Sequence, residues 1–221
     1  MGFLKYLLLP LQIIYSFIIF MRNKLYDLKM INTYRSKIKI ISIGNLKNGG
    51  TGKTPIVEYI IRLFNQHNIA VLSRGYKRKT KGFVLANKTH HSDDIGDENY
   101  QLYNKHQNII VACDNHRVNG IKELENKNHP LDCVILDDGY QHRSLERDID
   151  ILLTEQSNLF YNDQLMPIGK LREHKNEIKR ADIIIVTKST PDISEQERKK
   201  IIKKIQPKMN QKIYFSYIEE Y

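Results

Sequence analysis

Residues 37–59 read KIKIISIGNLKNGGTGKTPIVEY. A β-branched apolar run comes first, a glycine-rich turn ending in Gly52-Lys53-Thr54 follows, and an apolar pattern with helical period closes the segment. This order is typical of a strand–loop–helix phosphate cradle, because glycines let the backbone turn tightly with its N–H groups pointing inward. The segment therefore predicts an α/β fold of the P-loop NTPase type, with a mostly parallel sheet flanked by helices and a nucleoside triphosphate as ligand.

The chemistry of this loop assigns roles to individual residues. Lys53 can reach the β- and γ-phosphates, the Thr54 hydroxyl can hold Mg²⁺, and Pro55 suits a first helical turn. The predicted nucleotide-binding residues are Asn48, Gly49, Gly50, Thr51, Gly52, Lys53, Thr54 and Pro55. One position departs from the pattern G-x-x-x-x-G-K-[ST], because Lys47 stands where the pattern has glycine. The alternative is a glycine-rich turn that binds nothing, and the flanking strand and helix patterns argue against it.

Composition bounds the partners of the protein. Lysine and arginine exceed aspartate and glutamate by 35 − 25 = 10 charges over 221 residues, which favours anionic partners such as phosphates and acidic lipid headgroups. The densest basic patch, residues 198–204, reads as the solvated face of a helix, and no nucleic-acid motif accompanies it. The two cysteines, Cys113 and Cys133, lie in or next to apolar runs and are expected in the core.

The N-terminus carries a second strong signal. Residues 3–21 contain only Lys5 and Gln12 as strongly polar members, and a helix of that length is about 28 Å long, close to the thickness of a bilayer core. We predict a membrane-associated N-terminal segment over residues 1–29 and a P-loop domain over residues 30–221, which the resemblance described below implies to be a kinase domain. Pro10 and Gln12 leave open whether the helix spans the membrane or lies in its interface.

The flanks of the apolar stretch indicate its orientation. Arg22, Lys24 and Lys29 follow it directly, and the positive-inside tendency places the remaining domain in the cytoplasm. A cleaved signal peptide is the rival interpretation. It is disfavoured because no small-residue cleavage site follows and because a phosphate loop needs cytosolic ATP.

Further along the chain, short apolar runs alternate with helical patterns, which favours a parallel sheet covered by helices. The predicted strands beyond the first are 69–72, 109–112, 131–136, 149–153, 183–186 and 213–217, and the predicted helices are 54–66, 98–105, 117–125 and 195–206. Residues 73–96 are polar and weakly periodic, so a projecting loop or hairpin is expected there.

Acidic residues follow two of these segments. Asp137 and Asp138 come directly after the 131–136 run, in the form of a Walker B strand whose acid meets the metal of the phosphate loop. Asp97 and Glu98 precede a helix, and taken alone they read equally well as a site or as a solvated loop. His142 comes four residues after Asp138, close enough in sequence to lie beside the metal, although a single histidine after a strand is more often structural. The eight histidines and two cysteines show no zinc-ligand spacing.

Five segments taken together resemble one family, the tetraacyldisaccharide 4′-kinases of lipid A synthesis. They are ISIGNLKNGGTGKTP (41–55), LSRGY (72–76), GDE (96–98), LDDGYQHRSLERDIDIL (136–152) and MPIGKLRE (166–173). The resemblance runs from the N-terminal stretch to about residue 190. It implies a membrane-associated enzyme that uses ATP and Mg²⁺ to phosphorylate the 4′-hydroxyl of tetraacyldisaccharide 1-phosphate, giving lipid IVA, on the cytoplasmic face of the inner membrane. The implied partners are this lipid and inner-membrane lipids, with no nucleic acid and no obligatory protein partner.

The resemblance also implies roles for individual residues. Lys53 would contact phosphates, Asp97 would be the catalytic carboxylate that faces the sugar hydroxyl, and Asp138 would join it in catalysis. The implied metal ligands are Thr54, Asp137, Asp138 and Glu173. Candidate contacts to the substrate or its transferred phosphate are Arg74, Arg117, His142 and Arg172.

Members of this family continue into a smaller C-terminal lobe, and the histidine that partners the catalytic aspartate lies there. Because a free carboxylate is a weak base at neutral pH, we expect the 221-residue chain to bind ATP with Mg²⁺ but to transfer phosphate slowly or not at all. The alternatives are a catalytically weak nucleotide or lipid binder and a membrane-associated ATPase switch. A GTPase is disfavoured because Thr187-Lys188-Ser189-Thr190 ends in threonine where a guanine-reading motif has aspartate.

Overall fold

The structure, a computed structural model, describes residues 2–127 and 130–219, with side chains described from residue 7 onward. It is an α/β protein, the class that the sequence predicts. The helices are α1 (Gly2–Asp27), α2 (Lys53–Leu63), α3 (Ser92–Ile95), α4 (Asp97–Lys105), α5 (Arg117–Glu125) and α6 (Glu195–Ile205). The strands are β1 (Lys39–Asn45), β2 (Ile69–Ser73), β3 (Val84–Leu85), β4 (Ile110–Cys113), β5 (Cys133–Asp137), β6 (Ile149–Glu155), β7 (Ile183–Thr187) and β8 (Lys212–Phe215).

The chain forms two compact units. The first unit comprises Met1–Asn32, Asn45–Gly52 and Asp150–Tyr221, and the second comprises Thr33–Gly44 and Lys53–Ile149. These boundaries differ from the predicted division at residue 29, because α1 and the phosphate loop belong to the same unit as β7 and β8.

In the second unit, β1, β2, β4 and β5 pair in parallel, with β5 between β1 and β2. Ile135 on β5 lies opposite Ile41 on one side and Val71 on the other. These strands are apolar on both faces, which suits a sheet covered by helices on each side. Their core includes Ile40, Ala70, Leu72, Ala112, Ile121, Leu124, Val134, Leu136 and Leu145. Cys113 and Cys133 are free and buried, as predicted.

In the first unit, β6, β7 and β8 pair in parallel. α6 packs Ile201 and Ile205 inward, and the Ser194 hydroxyl caps its N-terminus by accepting a hydrogen bond from the Glu197 amide at 3.2 Å. All three predicted strands and the predicted helix of this region are present, with ends shifted by one or two residues.

The segment 73–96 is more ordered than the predicted loop. It contains β3, which pairs antiparallel with β4, and the single-turn helix α3. The Arg78 guanidinium ties the segment together, because it donates to the carbonyl oxygens of Gly82 at 2.6 Å and Cys113 at 3.4 Å. Elements of two and four residues held by one central arginine leave no periodic pattern in the sequence.

α1 packs within the first unit through polar side chains between Gln12 and Asp27 that contact residues 165–179. The pairs are Gln12 with the Leu165 carbonyl (3.0 Å), Tyr15 with the Arg172 carbonyl (2.8 Å), Ser16 with His174 (3.2 Å), Asn23 with Glu173 (3.1 Å) and Asp27 with Lys179 (2.8 Å). The remaining surface of the helix exposes Leu7, Leu9, Leu11, Ile13, Ile14, Phe17, Ile18, Phe20 and Met21. Within the described residues, α1 is the one helix whose length and composition suffice to cross a membrane.

Candidate active site

The phosphate loop, residues 45–52, begins where β1 ends. The Asn45 side-chain amide donates to the Thr51 hydroxyl at 2.7 Å, and the Thr51 amide donates to the Gly49 carbonyl at 3.1 Å, so both ends of the loop are closed onto each other. Gly49 has φ +131° and Gly52 has φ +75°. Both positions need glycine, because other L-residues rarely adopt such angles.

Lys47 explains the departure from the usual motif. Its φ is not positive, so the backbone at this position accepts a side chain. The Lys47 ammonium group is buried, lies 2.7 Å from the Asp163 carboxylate and donates to the Asn158 side chain at 2.5 Å. The lysine therefore anchors the start of the loop to the segment 158–163 and points its charge away from the glycines.

Residues 170–172 run antiparallel to the start of the loop. The Asn48 amide donates to the Lys170 carbonyl at 2.8 Å, and the Arg172 amide donates to the Leu46 carbonyl at 2.7 Å. The Arg172 guanidinium donates to the Asn45 carbonyl at 3.0 Å and also to the Asn45 side-chain oxygen. Arg172, predicted to contact substrate, thus braces the end of β1.

The second unit holds the acidic residues. β5 ends at Asp137, which is buried, and Asp138 follows with φ +51°, an angle that turns its side chain out of the strand. Lys53, the first residue of α2, lies with its ammonium nitrogen 3.7 Å from Asp138 Oδ1. The structure therefore brings Lys53 together with the predicted Walker B acids.

Burial and charge oppose each other in this cluster. Burial, together with the charges of Glu98 and Asp138, raises the pKa of Asp137 to about 7, although Lys53 and Arg117 act in the opposite direction. Burial also lowers the pKa of Arg117 to about 10, and the neighbouring aspartates offset part of that effect. A cation near Asp137 would favour the charged carboxylate and so oppose the rise in its pKa.

The position of Asp97 is determined by hydrogen bonds between Ser73, at the end of β2, and Asn99 in α4. The Ser73 hydroxyl donates to the Asn99 side-chain oxygen at 2.8 Å, and the Asn99 amide group donates to the Ile95 carbonyl at 2.9 Å. These bonds fix the first turn of α4, which begins at Asp97 after Gly96 at φ +88°. The Asp97 and Glu98 side chains are exposed at this turn.

The donor set near Asp137 fits a magnesium ion. Carboxylate and hydroxyl oxygens are the ligands that Mg²⁺ prefers, and it commonly takes one or two carboxylates together with phosphates and water. Among the described residues, Asp137 Oδ1 is a buried side-chain oxygen that accepts no hydrogen bond. In the same described part of the chain, no group of three histidine, cysteine, aspartate or glutamate side chains could hold a metal by itself. These side chains suit an ion that also takes ligands from a nucleotide.

Comparison with known proteins decides the family. The sequence model of the protein family described as Tetraacyldisaccharide-1-P 4'-kinase matches residues 4–218 of this chain. The chain belongs to this family.

Curated members of the tetraacyldisaccharide 4′-kinase family match over most of the chain. The tetraacyldisaccharide 4'-kinase of Flavobacterium psychrophilum is 45% identical over 222 residues, which is 99% of this chain and 65% of the relative. The enzyme of the same name from Parabacteroides distasonis is 46% identical over 217 residues, 96% of this chain and 58% of the relative. The chain therefore spans about three fifths of the length of these relatives.

A solved structure of the same family has the same fold. It is the LpxK of Aquifex aeolicus, described as an "apo" form in complex with ATP, with a TM-score of 0.76 and 36% identity. The match covers 87% of this chain and 60% of that chain.

Three further residues that the resemblance implicates have defined surroundings. Arg117 is buried and donates to the carbonyl oxygens of Asp114 at 2.5 Å and Asp137 at 3.5 Å, which holds the end of β5. Arg74 is exposed directly after β2. His142 lies half-buried in the turn after Asp138, where its amide donates to the Gly139 carbonyl at 2.9 Å.

Glu173, a predicted metal ligand, has hydrogen-bond partners on both carboxylate oxygens. Its side chain is fully buried, one carboxylate oxygen accepts from Asn23 of α1 at 3.1 Å, and the other accepts from Arg180 at 2.5 Å. Each oxygen has a further lone pair beyond these bonds. In this structure Glu173 serves to dock α1, a contact over 150 residues of sequence that no local pattern indicates.

Sequence reasoning missed several residues that shape the loop. Asn45, Asp163 and Thr187 hold it through side-chain hydrogen bonds or an ion pair, and Lys188 does so from an exposed position. Asn45 lies within the family segment 41–55, and Thr187 with Lys188 matches the start of a guanine-reading motif, but neither pattern indicates a contact with the loop.

Proposed function

We propose that the protein transfers the γ-phosphate of ATP to the 4′-hydroxyl of a tetraacylated disaccharide 1-phosphate; its relatives are named tetraacyldisaccharide 4′-kinases. The observation that carries the proposal is the cluster at the end of β5. There Lys53 lies 3.7 Å from Asp138, beside a buried Asp137 whose Oδ1 accepts no hydrogen bond within the described residues. A buried carboxyl group with one oxygen that accepts no hydrogen bond within the described residues, next to a phosphate-reaching lysine, supports a site for a metal-bound triphosphate.

The side chains divide the work of phosphoryl transfer among themselves. Lys53 would bind the β- and γ-phosphates, while Thr54, Asp137 and Asp138 would hold the magnesium ion. When bound, Mg²⁺ would supply neutralisation of the charge on the phosphate oxygens. Asp97, exposed at the start of α4, would accept the proton of the sugar hydroxyl. The sugar oxygen would then bond to the γ-phosphorus while the bond from that phosphorus to the oxygen of ADP breaks.

The position of α1 supports a protein that lies on the membrane. From Gln12 to Asp27, side chains of α1 form hydrogen bonds and an ion pair with other residues of the same unit. These contacts hold about 22 Å of the helix in place, so this length is not free to cross a bilayer. The other surface of the helix exposes large apolar side chains such as Phe17, 63% exposed, and Leu7, 62% exposed. A helix of this kind embeds its apolar face among the acyl chains while it lies in the interface. We place the protein on the cytoplasmic face of the inner membrane, where ATP and the lipid acceptor meet.

One experiment tests the activity. The protein is incubated with γ-labelled ATP, Mg²⁺ and the disaccharide lipid in detergent micelles, and label in the lipid is compared with label released as phosphate. Transfer to the lipid, lost in Asp97→Asn, is the expected result. Phosphate release without labelled lipid would favour an ATPase switch, and neither product together with absence of ATP binding would refute the nucleotide site.

A further inference from the structure

The backbone of the phosphate loop poses a hydrogen-bonding requirement. Where consecutive N–H groups turn toward an anion, the carbonyl oxygens between them turn away and need donors of their own. In this loop the relevant oxygens belong to Gly50 and Thr51, immediately before Gly52. The structure supplies a donor for each of them from the end of β7.

Thr187 is the first donor. Its hydroxyl lies 2.8 Å from the Thr51 carbonyl oxygen and 3.3 Å from that of Thr154, and the side chain is 3% exposed. A Cβ placed on Gly52 would lie 3.7 Å from the Thr187 Cβ, so the threonine also packs against the last glycine of the loop. Thr187 thus sets both the direction of one carbonyl and the space beside the glycine.

Lys188 is the second donor. Its ammonium nitrogen lies 2.8 Å from the Gly50 carbonyl oxygen and 3.1 Å from a Glu155 carboxylate oxygen. The Lys188 backbone has φ +51°, an unfavourable angle for a residue with a Cβ. This conformation keeps the long side chain directed back onto the loop, and the Glu155 carboxylate holds its charge in place.

We propose that Thr187 and Lys188 are positioning residues for the nucleotide, a carbonyl clamp that holds the Gly50 and Thr51 oxygens so that the loop's N–H groups are preset to receive the triphosphate. The inference rests on the proposed nucleotide site and adds residues that no part of the phosphate-loop motif contains. Presetting a loop strengthens binding because the ordering cost is met before the ligand arrives.

The test uses Lys188→Met, which keeps the length and apolar stem of the side chain but removes the donor. We expect the affinity for a fluorescent ATP analogue with Mg²⁺ to fall by roughly 5- to 20-fold, the effect of losing one partly exposed charge-assisted hydrogen bond. The melting temperature of the nucleotide-free protein should stay within about 2 °C of the parent, because the bond lies at an exposed loop. Lys188→Arg, which can still donate to the carbonyl, should recover most of the affinity.

The matched control is Lys175→Met. Lys175 is also a lysine whose ammonium group donates to a backbone carbonyl, that of Tyr161 at 2.5 Å, but this carbonyl is outside the phosphate loop. A second pair, Thr187→Val and Thr187→Ser, removes and retains the hydroxyl at the other donor. The valine variant should bind the nucleotide more weakly, and the serine variant should bind it nearly as the parent does.

The outcomes separate the two proposals. If the parent binds nucleotide and Lys188→Met binds it equally well, the carbonyl clamp is wrong while the nucleotide site stands. A loss of affinity matched by an equal loss in Lys175→Met, or by a clear drop in the melting temperature of the free protein, would assign Lys188 a general structural role and also overturn the inference. If the parent itself does not bind ATP, the proposed function fails and the clamp fails with it.

Discussion

At the scale of the residue, Asp137 is where burial and charge conflict most strongly. Its folded-state pKa is raised to about 7, so the folded protein binds this proton more tightly than the unfolded chain does. The contribution to stability is complete below the unfolded pKa and is lost as the pH rises through the folded pKa. Without metal or nucleotide, the free energy of unfolding should therefore fall by roughly 2–4 kcal/mol between about pH 4 and pH 8 on account of this group.

Asp137→Asn removes this titration. We expect the variant to be more stable than the parent at pH 8 in a chelator, with the advantage shrinking toward pH 4, as measured by urea unfolding at several pH values. Asp192→Asn, which alters an exposed aspartate, is the control and should follow the parent. If the free energies of unfolding of the parent and Asp137→Asn changed with pH in the same way, the Asp137 carboxyl would not have a raised pKa.

Lys53 gives the second prediction at this scale. Its ammonium group lies 3.7 Å from Asp138, and its side chain is 19% exposed at the first residue of α2. Lys53→Ala should weaken ATP binding by roughly 10- to 100-fold, the range for losing hydrogen bonds to a charged group, while the fold persists. Titration with a fluorescent ATP analogue measures this, and Lys199→Ala on α6 is the control because its lysine forms a surface ion pair with Glu195 on the same helix. Undiminished affinity in Lys53→Ala would contradict the assignment of the phosphate loop.

At the scale of the element, the sequence predicted regular structure well where periodicity was sustained. α5 occupies Arg117–Glu125 as predicted, and α2 begins within one residue of its expected start. The loop that is predicted to bind the nucleotide was also recognisable as a strand–loop–helix segment, because its pattern is local.

The supporting contacts were not predictable, because each joins distant parts of the chain. The Lys47 pair with Asp163 and the burial of Glu173 against α1 join residues more than 100 positions apart. The sequence presents Lys47 only as a missing glycine and Glu173 only as an acid in a family motif. In both cases the partner determines the role, and a partner is a property of tertiary packing.

α1 provides the prediction for an element. Ile14 is 56% exposed and Phe17 63% exposed on its outer surface, and neither is among the polar side chains that dock the helix. The double change Ile14→Glu with Phe17→Glu should therefore leave the melting temperature nearly unchanged. It should lower the partition onto phospholipid vesicles by roughly 10²- to 10⁴-fold, since each of the two buried side chains contributes about 1.5–3 kcal/mol.

Co-sedimentation with vesicles of neutral phospholipid measures this partition without the influence of lipid charge. The control is Leu63→Glu on α2, where an apolar side chain of similar exposure, 62%, is replaced in the same way. Equal partition of the α1 double variant and the parent would show that this surface of α1 does not meet the membrane. An equal loss in Leu63→Glu would show that added negative charge alone, and not the position on α1, releases the protein.

At the scale of the whole molecule, the predicted functional residues come from separate stretches of the sequence. The loop residues 45–52 and their supports belong to the first unit, whereas Lys53, Asp97, Asp137 and Asp138 belong to the second. The local motif at residues 45–54 therefore contains only part of the predicted set.

The net charge of +10 is also a property of the whole molecule, and it adds to membrane binding in a way that salt can separate. Attraction between exposed lysines and anionic lipids is screened beyond about 8–10 Å at ordinary ionic strength, whereas the burial of apolar side chains is nearly insensitive to moderate salt. On vesicles containing anionic lipid, raising sodium chloride from about 0.05 M to about 0.5 M should lower binding to the level seen on neutral vesicles, because only the electrostatic part is removed. Binding to neutral vesicles should stay constant over the same range.

Complete release of the parent at high salt would mean that charge alone holds it and that α1 is not embedded. Salt-independent binding to anionic vesicles would mean that the excess charge does not face the lipid.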